Sequence, residues 1–279
     1  MRNYFKISTI CQLLIFQLIS INASAQFFDF PSEVIDKANL MVTYNLSYKQ
    51  DTNRLDFQRQ EEMLLFVGEK TSLFISKNLY NLRQLGTIAE REGRLDSFID
   101  EMSEGHYRAR FLYSIYKNYP QGKLTYADKV LPTFFIYEVD LSAFQWELLD
   151  KDSLINGYTV QKARLSYGGR LWSAWYTLEI PVADGPYKFS GLPGLILKVS
   201  DSQGHYVFEM TAIERLKEAV AIAFYDMGWV KTDRKGVLSA EENFRHDIIN
   251  RAREAGANLK SQQTAARNML KRNNPIELE

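Results

Sequence analysis

Gly168 and Gly169 stand between two runs, "YTVQKARLSY" and "RLWSAWYTLEI", in which apolar and polar residues alternate. Alternation sends successive side chains to opposite faces of an extended strand. Two adjacent glycines supply the positive φ angles that a two-residue hairpin turn requires. This stretch is therefore committed to a β-hairpin. In its second strand Trp172, Ala174, Tyr176, Leu178 and Ile180 share one face, and Ser173, Trp175, Thr177 and Glu179 share the other.

The same period recurs along most of the chain. Leu40, Val42, Tyr44, Leu46 and Tyr48 form one face of an early strand, after one helical turn expected at "PSEVIDKA". "EMLLFVGEKTSLFISK" reads as a hairpin turning near Gly68, with Leu73 and Ile75 on one face and Phe74 on the other. "GLILKVSD" and "HYVFEMTAIE" form another, and "AVAIAFY" reads as a last strand. The 17 Phe and 16 Tyr fit a pleated, half-buried surface. Residues 84–105 are charged and glycine-punctuated; they read as a long connection with a short helix at "RLDSFIDEM".

Ser239 and Glu242 have the spacing of a capping box, and Phe244, Ile248, Ile249, Ala252 and Ala255 form a helical stripe that Gly256 would end. A second helix is expected from Asn258 to Lys271, before a frayed polar end at "RNNPIELE". Short connections favour antiparallel pairing, since parallel strands need long crossovers. The expected fold is mainly β (α+β): a single twisted antiparallel sheet, with room to curl into a partial barrel, and C-terminal helices over residues 239–272 packed on it. No shift of composition divides residues 26–279, which read as a single domain.

The first 25 residues read as an address. Arg2 and Lys6 precede a short apolar run, Ile10–Ile21, and Ala23-Ser24-Ala25 is a small-residue cleavage signature, so a signal peptide cut before Gln26 is expected. The apolar run falls short of the ~20 residues that cross a bilayer. Export to the periplasm or cell envelope, without a transmembrane anchor, is the expectation. Cleavage would remove Cys11, the only cysteine, and two of the 34 cations that balance 34 acids, leaving a net charge of about −2. A near-neutral chain lacks the dense basic face that nucleic acid needs.

"GPYKFSGLPGLILKV", Gly185 to Val199, is an apolar loop dense in glycine and proline. Pro193-Gly194 has the signature of a type II turn, with positive φ at the glycine. Gly185-Pro186 marks a bend, and Gly191 allows a close backbone approach. Ala174-Trp175-Tyr176-Thr177, Glu179-Ile180-Pro181, Gly185-Pro186 and the six residues Gly191–Ile196 together resemble the signature of the GLPGLI family, exported proteins of Bacteroidetes first noted as a paralogous set in Porphyromonas. The resemblance extends upstream to "GYTVQKA" and "GGRLWSAW", and it departs from the family near Val160, where many members carry a cysteine. It implies an envelope protein built mainly of antiparallel strands. It implies no catalytic residues, because the family has no agreed activity.

The search for chemistry yields little. His106, His205 and His246 are far apart, so no metal or other cofactor is expected. "DKDS" (Asp150–Ser153) lacks the pattern of a calcium loop and reads as a turn. Ser190 is not in a nucleophile elbow. A hydrolase using a serine, or a carboxylate pair drawn from Glu147, Asp150, Glu179 and Asp184, is the alternative to a binding protein. Asn45-Leu46-Ser47 is a formal glycosylation sequon without meaning in a bacterial export. Trp172 and Trp175 point to opposite faces, so one needs a cover beyond the core. Tyr187, Phe189, Leu192, Pro193, Leu195 and Ile196 could supply it, or could line a groove for a lipid, another hydrophobic ligand or an envelope partner protein. Residues 258–272, basic and amphipathic, could instead lie on an anionic membrane. The expected function is a non-catalytic binding or accessory protein, with a purely structural envelope component as a further option.

Overall fold

The computed structural model describes Phe28 and residues 30–279, apart from residues 106, 255 and 257. The expected signal peptide, its cleavage site, His106 and Ala255 lie outside the described residues.

Twelve strands form one sheet: β1 (Ser32–Tyr48), β2 (Arg59–Val67), β3 (Ser72–Ser76), β4 (Ser114–Lys117), β5 (Lys123–Val130), β6 (Thr133–Asp140), β7 (Glu147–Ile155), β8 (Tyr158–Tyr167), β9 (Arg170–Thr177), β10 (Leu195–Asp201), β11 (Tyr206–Tyr225) and β12 (Val230–Lys231). Their order is β12-β6-β5-β4-β3-β2-β1-β11-β10-β9-β8-β7. Every pairing is antiparallel except β12 with β6. The sheet is open, with β7 and β12 at its edges. It is nevertheless strongly curled. β6 and β8 stand nine strand positions apart, roughly 43 Å in a flat sheet. Yet the Lys188 ammonium lies 5.2 Å from the Tyr137 ring on β6 and 5.8 Å from the Tyr167 ring on β8.

The alternation read from the sequence sets the two faces. Val42, Tyr44, Leu46 and Phe74 face the inside of the curl, where they meet Ile115, Leu124 and Phe208 in the larger core. Leu64, Phe66, Leu73 and Ile75 face outward and are covered by helix α1 (Lys77–Arg91), whose Leu79 packs among them. Ser76 caps that helix, its Oγ accepting from Leu79 N at 3.4 Å. Hydrophobic covering of both faces explains why all five residues of β3 are buried.

Five elements differ from the expectation. Residues 84–91, expected in a loose connection, belong to helix α1, and helix α2 (Leu95–Ser103) falls where a short one was expected. Gly86 hides α1 from a propensity reading; a Cβ there would stand 2.4 Å from the Phe28 ring, so the glycine serves packing. "PSEVIDKA" is strand, because β1 extends to pair with the far half of β11. "AVAIAFY" is not a separate strand but the end of the 20-residue β11. Helix α3 (Arg234–His246) starts before Ser239, capped by Asp233, whose Oδ1 accepts from Gly236 N at 2.7 Å. The helical stripe breaks at Asp247, and α4 (Ile248–Glu254) carries buried Ile248 and Ala252. Helix α5 (Leu259–Leu270) matches the expected second helix, with Asn258 as its cap. No helix among the described residues is long and apolar enough to cross a membrane.

Candidate functional site

The connection from β9 to β10, residues 178–194, does not hang free. It folds into the curl of the sheet. Tyr187, Phe189, Leu192, Leu195 and Ile196 are buried in the larger core with Trp172, and each such burial contributes about 1.5–3 kcal/mol. Phe189 sits 4.7 Å from the Trp172 ring, and Tyr187 stacks 6.2 Å from Phe208 on β11. Trp175 points to the opposite face, half-buried, with the Lys162 ammonium 5.4 Å from its ring. Gly185 and Pro186 are buried, whereas Pro193 is exposed.

The two glycines of the motif have exchanged the roles expected of them. Gly191 adopts positive φ (+88°), and a Cβ there would meet only Phe144 O, at 3.9 Å. Gly194 does not have positive φ, so the type II turn expected at Pro193-Gly194 does not form. Its requirement is steric: a Cβ would lie 1.9 Å from the Thr177 carbonyl oxygen. Glycine is needed there because the loop's return crosses the end of β9 at van der Waals contact.

Beneath the loop lies a buried polar cluster. Lys117 on β4 donates to Asp184 Oδ1 (2.5 Å), Gly185 O (2.5 Å) and Phe189 O (3.1 Å). An ammonium has three donors, and all three are used. The second oxygen of Asp184 accepts from Ser72 Oγ, and Tyr44 OH donates to Ile196 O at 2.7 Å. Burial pushes the Lys117 pKa down, against the opposing pull of Asp184. These bonds tie β3 and β4 to the loop and β1 to the start of β10.

A second cluster surrounds Lys188. Four tyrosine rings, Tyr126, Tyr187, Tyr137 and Tyr167, lie 4.4–5.8 Å from its ammonium. This is a cage of aromatic faces for a cation. Lys188 also donates to Tyr137 OH (2.6 Å) and to Glu277 Oε1, and Tyr187 OH donates to the same Glu277 oxygen at 2.5 Å. Burial lowers the Lys188 pKa, opposed by Glu277. Nearby on β5, burial raises the Asp128 carboxyl to about 6. Burial, and then the charge of Asp128, raises Glu241 on α3 to about 7.

Glu277 arrives on a segment expected to fray. Instead, residues 273–279 form an ordered strap. Arg170 donates to Ile276 O (3.0 Å), Pro275 O (2.6 Å) and Asn274 Oδ1 (2.7 Å), while pairing with Asp201 at 2.8 Å. Asn274 Nδ2 donates to Lys49 O at 2.6 Å, Tyr206 OH to Asn274 O at 2.6 Å, and Leu278 N to Gly168 O at 2.8 Å. Gly168 and Gly169 form the expected turn, both at positive φ. They also form a saddle: a Cβ on Gly168 would stand 2.8 Å from Glu277 Cγ, and one on Gly169 would stand 2.9 Å from Leu278 Cβ. Beside the strap opens a cleft of about 800 Å³ lined by Tyr137, Val139, Tyr167, Arg170, Arg234 and Glu279.

The loop and its approach decide the comparison with known proteins. Residues 169–198 match the model of a family described as "Protein of unknown function (Porph_ging)". This is the Porphyromonas paralogous family, and the match is consistent with the GLPGLI resemblance read from the sequence. It runs from the saddle glycine through the loop into β10. No curated protein sequence matches the chain. Among solved structures, PNGF-II in its C2 and P21 crystal forms is similar, each with a TM-score of 0.50 and 15% identity over 75% of this chain. The match spans about a third of PNGF-II (33% and 34%), and the likeness is one of fold.

The remaining candidates are scattered. Glu147 pairs with Arg164 on the surface at 2.6 Å, Glu179 accepts from Thr159 N at 2.8 Å, and Asp150 is exposed. Asp184 is far more buried than these three and is committed to Lys117. Ser190 is buried, its carbonyl accepting from Trp146 Nε1 at 2.8 Å. His205 lies in the β10–β11 turn, where Asp201 accepts from its backbone N–H at 2.7 Å, and His246 is exposed on α3. Asn45 bonds Ser47 along β1. No group of three potential metal ligands occurs among the described residues. The sequence reading missed Lys117, Lys188, Arg170 and Glu277; "YKF" inside an apolar loop was the one visible signal, a lysine where the neighbours predict core.

Proposed function

We propose that this chain is a non-catalytic binding or accessory protein of the bacterial cell envelope, exported by its first 25 residues. The carrying observation is that the polar groups gathered inside the curl are spent on structure. Lys117 and Asp184 hold the loop, and Lys188, Arg170 and Glu277 hold the strap. Paired and hydrogen-bonded charges are what a low-dielectric interior tolerates. The open cleft beside the strap, with tyrosine rings and Arg234 at its wall, supports binding at that mouth. A hydrophobic ligand seated among Tyr187, Phe189, Leu192, Leu195 and Ile196 would have to displace the protein's own core. The GLPGLI segment is accordingly read as the internal lock of the fold, with ligand or partner contact at the cleft.

Two measurements test this. Amino-terminal sequencing of the protein from its own envelope should begin at Gln26; retention of Met1 in a membrane fraction would overturn export. Native mass spectrometry of the same material should show a copurifying molecule or a crosslinkable envelope partner. A clean mass with no crosslinked neighbour would remove the binding reading and leave a structural component.

A further inference from the structure

The strap meets the protein as a bound peptide does. Arg170 takes two successive backbone carbonyls, Pro275 O and Ile276 O, and Gly168 O takes the backbone N–H of Leu278. The side chain between them, Glu277, enters the Lys188 cage. Asn274 is buried as well, bonded to Arg170 and Lys49 O, and main-chain bonds at intervals with pocketed side chains are how proteins hold extended peptides. The saddle at Gly168-Gly169 completes the seat, since any side chain there would occupy the path of the strap.

The chemistry of the contact also favours exchange over permanence. A buried ion pair stabilises a fold less than well-packed apolar residues of similar volume. It leaves two groups that water solvates readily when the pair separates. Leu278 is 55% exposed, so this apolar side chain adds little to holding the strap in place. The adjoining cleft reaches from Tyr137 and Tyr167 to Arg170, Arg234 and Glu279, so an approaching chain meets the cage mouth from solvent.

We infer that Arg170, the Gly168-Gly169 saddle and the Lys188 tyrosine cage form a peptide-binding site, which the chain's own residues 273–279 fill as a displaceable plug. The ligand class is an extended segment of a partner protein carrying a glutamate two residues after a proline. This deepens the binding reading, and a solution peptide assay can fail without touching the result of the copurification measurement.

The probe is a fluorescein-labelled peptide of residues 273–279, Asn-Asn-Pro-Ile-Glu-Leu-Glu, added to the full chain and to full-chain Glu277→Ala, with fluorescence anisotropy as the readout. The variant, whose own plug is weakened, should bind the peptide at least tenfold more tightly than the parent. A probe with glutamine at the cage position should bind at least tenfold more weakly. No binding to a folded Glu277→Ala chain overturns the proposal, as does equal binding of the glutamine probe. A stable dimer exchanging its strap also overturns it, assigning the site to a second copy. If Glu277→Ala fails to fold, hydrogen exchange in the parent decides. The Asn274 and Leu278 amides should open well before those of Phe208 and Val199; opening together with the sheet would make the strap a fixed part of the core.

Discussion

The β9–β10 loop and the strap of residues 273–279 fill the same curl by opposite means. The loop brings a row of buried apolar side chains and anchors its backbone on one lysine, Lys117. The strap is polar and is held by Arg170, Lys188 and backbone bonds, with Asn274 and Glu277 buried in spite of their chemistry. Burial of apolar surface is non-directional, so it does not by itself fix the loop, whose position is set by Lys117 and by the close approach of Gly194 to Thr177. A charge that stays buried cannot lose its partner without the full cost of desolvation, whereas a pair that separates into water is solvated again. One region is a plug in the core; the other is a key whose teeth are charges.

Substitutions can break this contrast. The largest effect is expected at Gly194→Ala, where the new methyl meets the Thr177 carbonyl at 1.9 Å. A loss above about 4 kcal/mol is expected, enough to prevent folding; near-parent denaturation would show that the loop can lift. Asp184→Ala leaves Lys117 buried without its carboxylate and should cost about 3–5 kcal/mol by chemical denaturation. A cost under 1 kcal/mol would mean that water reaches the cluster.

Glu241→Gln should act in the other direction. The folded-state values of Glu241, about 7, and Asp128, about 6, lie above the ordinary values of 4.5 and 3.8 for these carboxyls. Their contribution is therefore fully present below about pH 4 and is lost as pH rises to 6–7. Removing the Glu241 charge should add on the order of 3 kcal/mol at pH 8 and flatten stability between pH 4.5 and 7. A profile as steep as the parent's would place the titration elsewhere. Gly168→Ala, crowding Glu277 at positive φ, should cost about 1–2 kcal/mol and loosen the strap in hydrogen exchange while leaving β10 protected. Pro193→Ala, at an exposed position of the same motif, should change stability by less than about 0.5 kcal/mol. A large loss there would reveal a constraint on the loop that its contacts do not show.

Much of the sheet was legible because its signals are local. Gly168-Gly169 and the alternation of β1 each act within a few residues, and both glycines take the positive φ that their turn requires. The site was not, because its logic is distant. "RNNPIELE" has no period and reads as solvated; its burial depends on Arg170 and Lys188, about 90–110 residues away. Lys188 itself was hidden by its neighbours, since an apolar loop conceals a cation that has a cage. Pro193-Gly194 shows the same limit, for the dipeptide promises a turn while the fold uses the glycine for clearance from Thr177.

The curl of the sheet carries a last consequence. In a closed barrel, strand number and hydrogen-bond stagger fix the radius in discrete steps. Here β6 and β8 approach each other without pairing, across the side chains of one loop. The bore of this half-barrel is therefore gauged by the volume of an insert, and it can be tuned continuously by exchanging Tyr187 or Phe189 for larger or smaller residues.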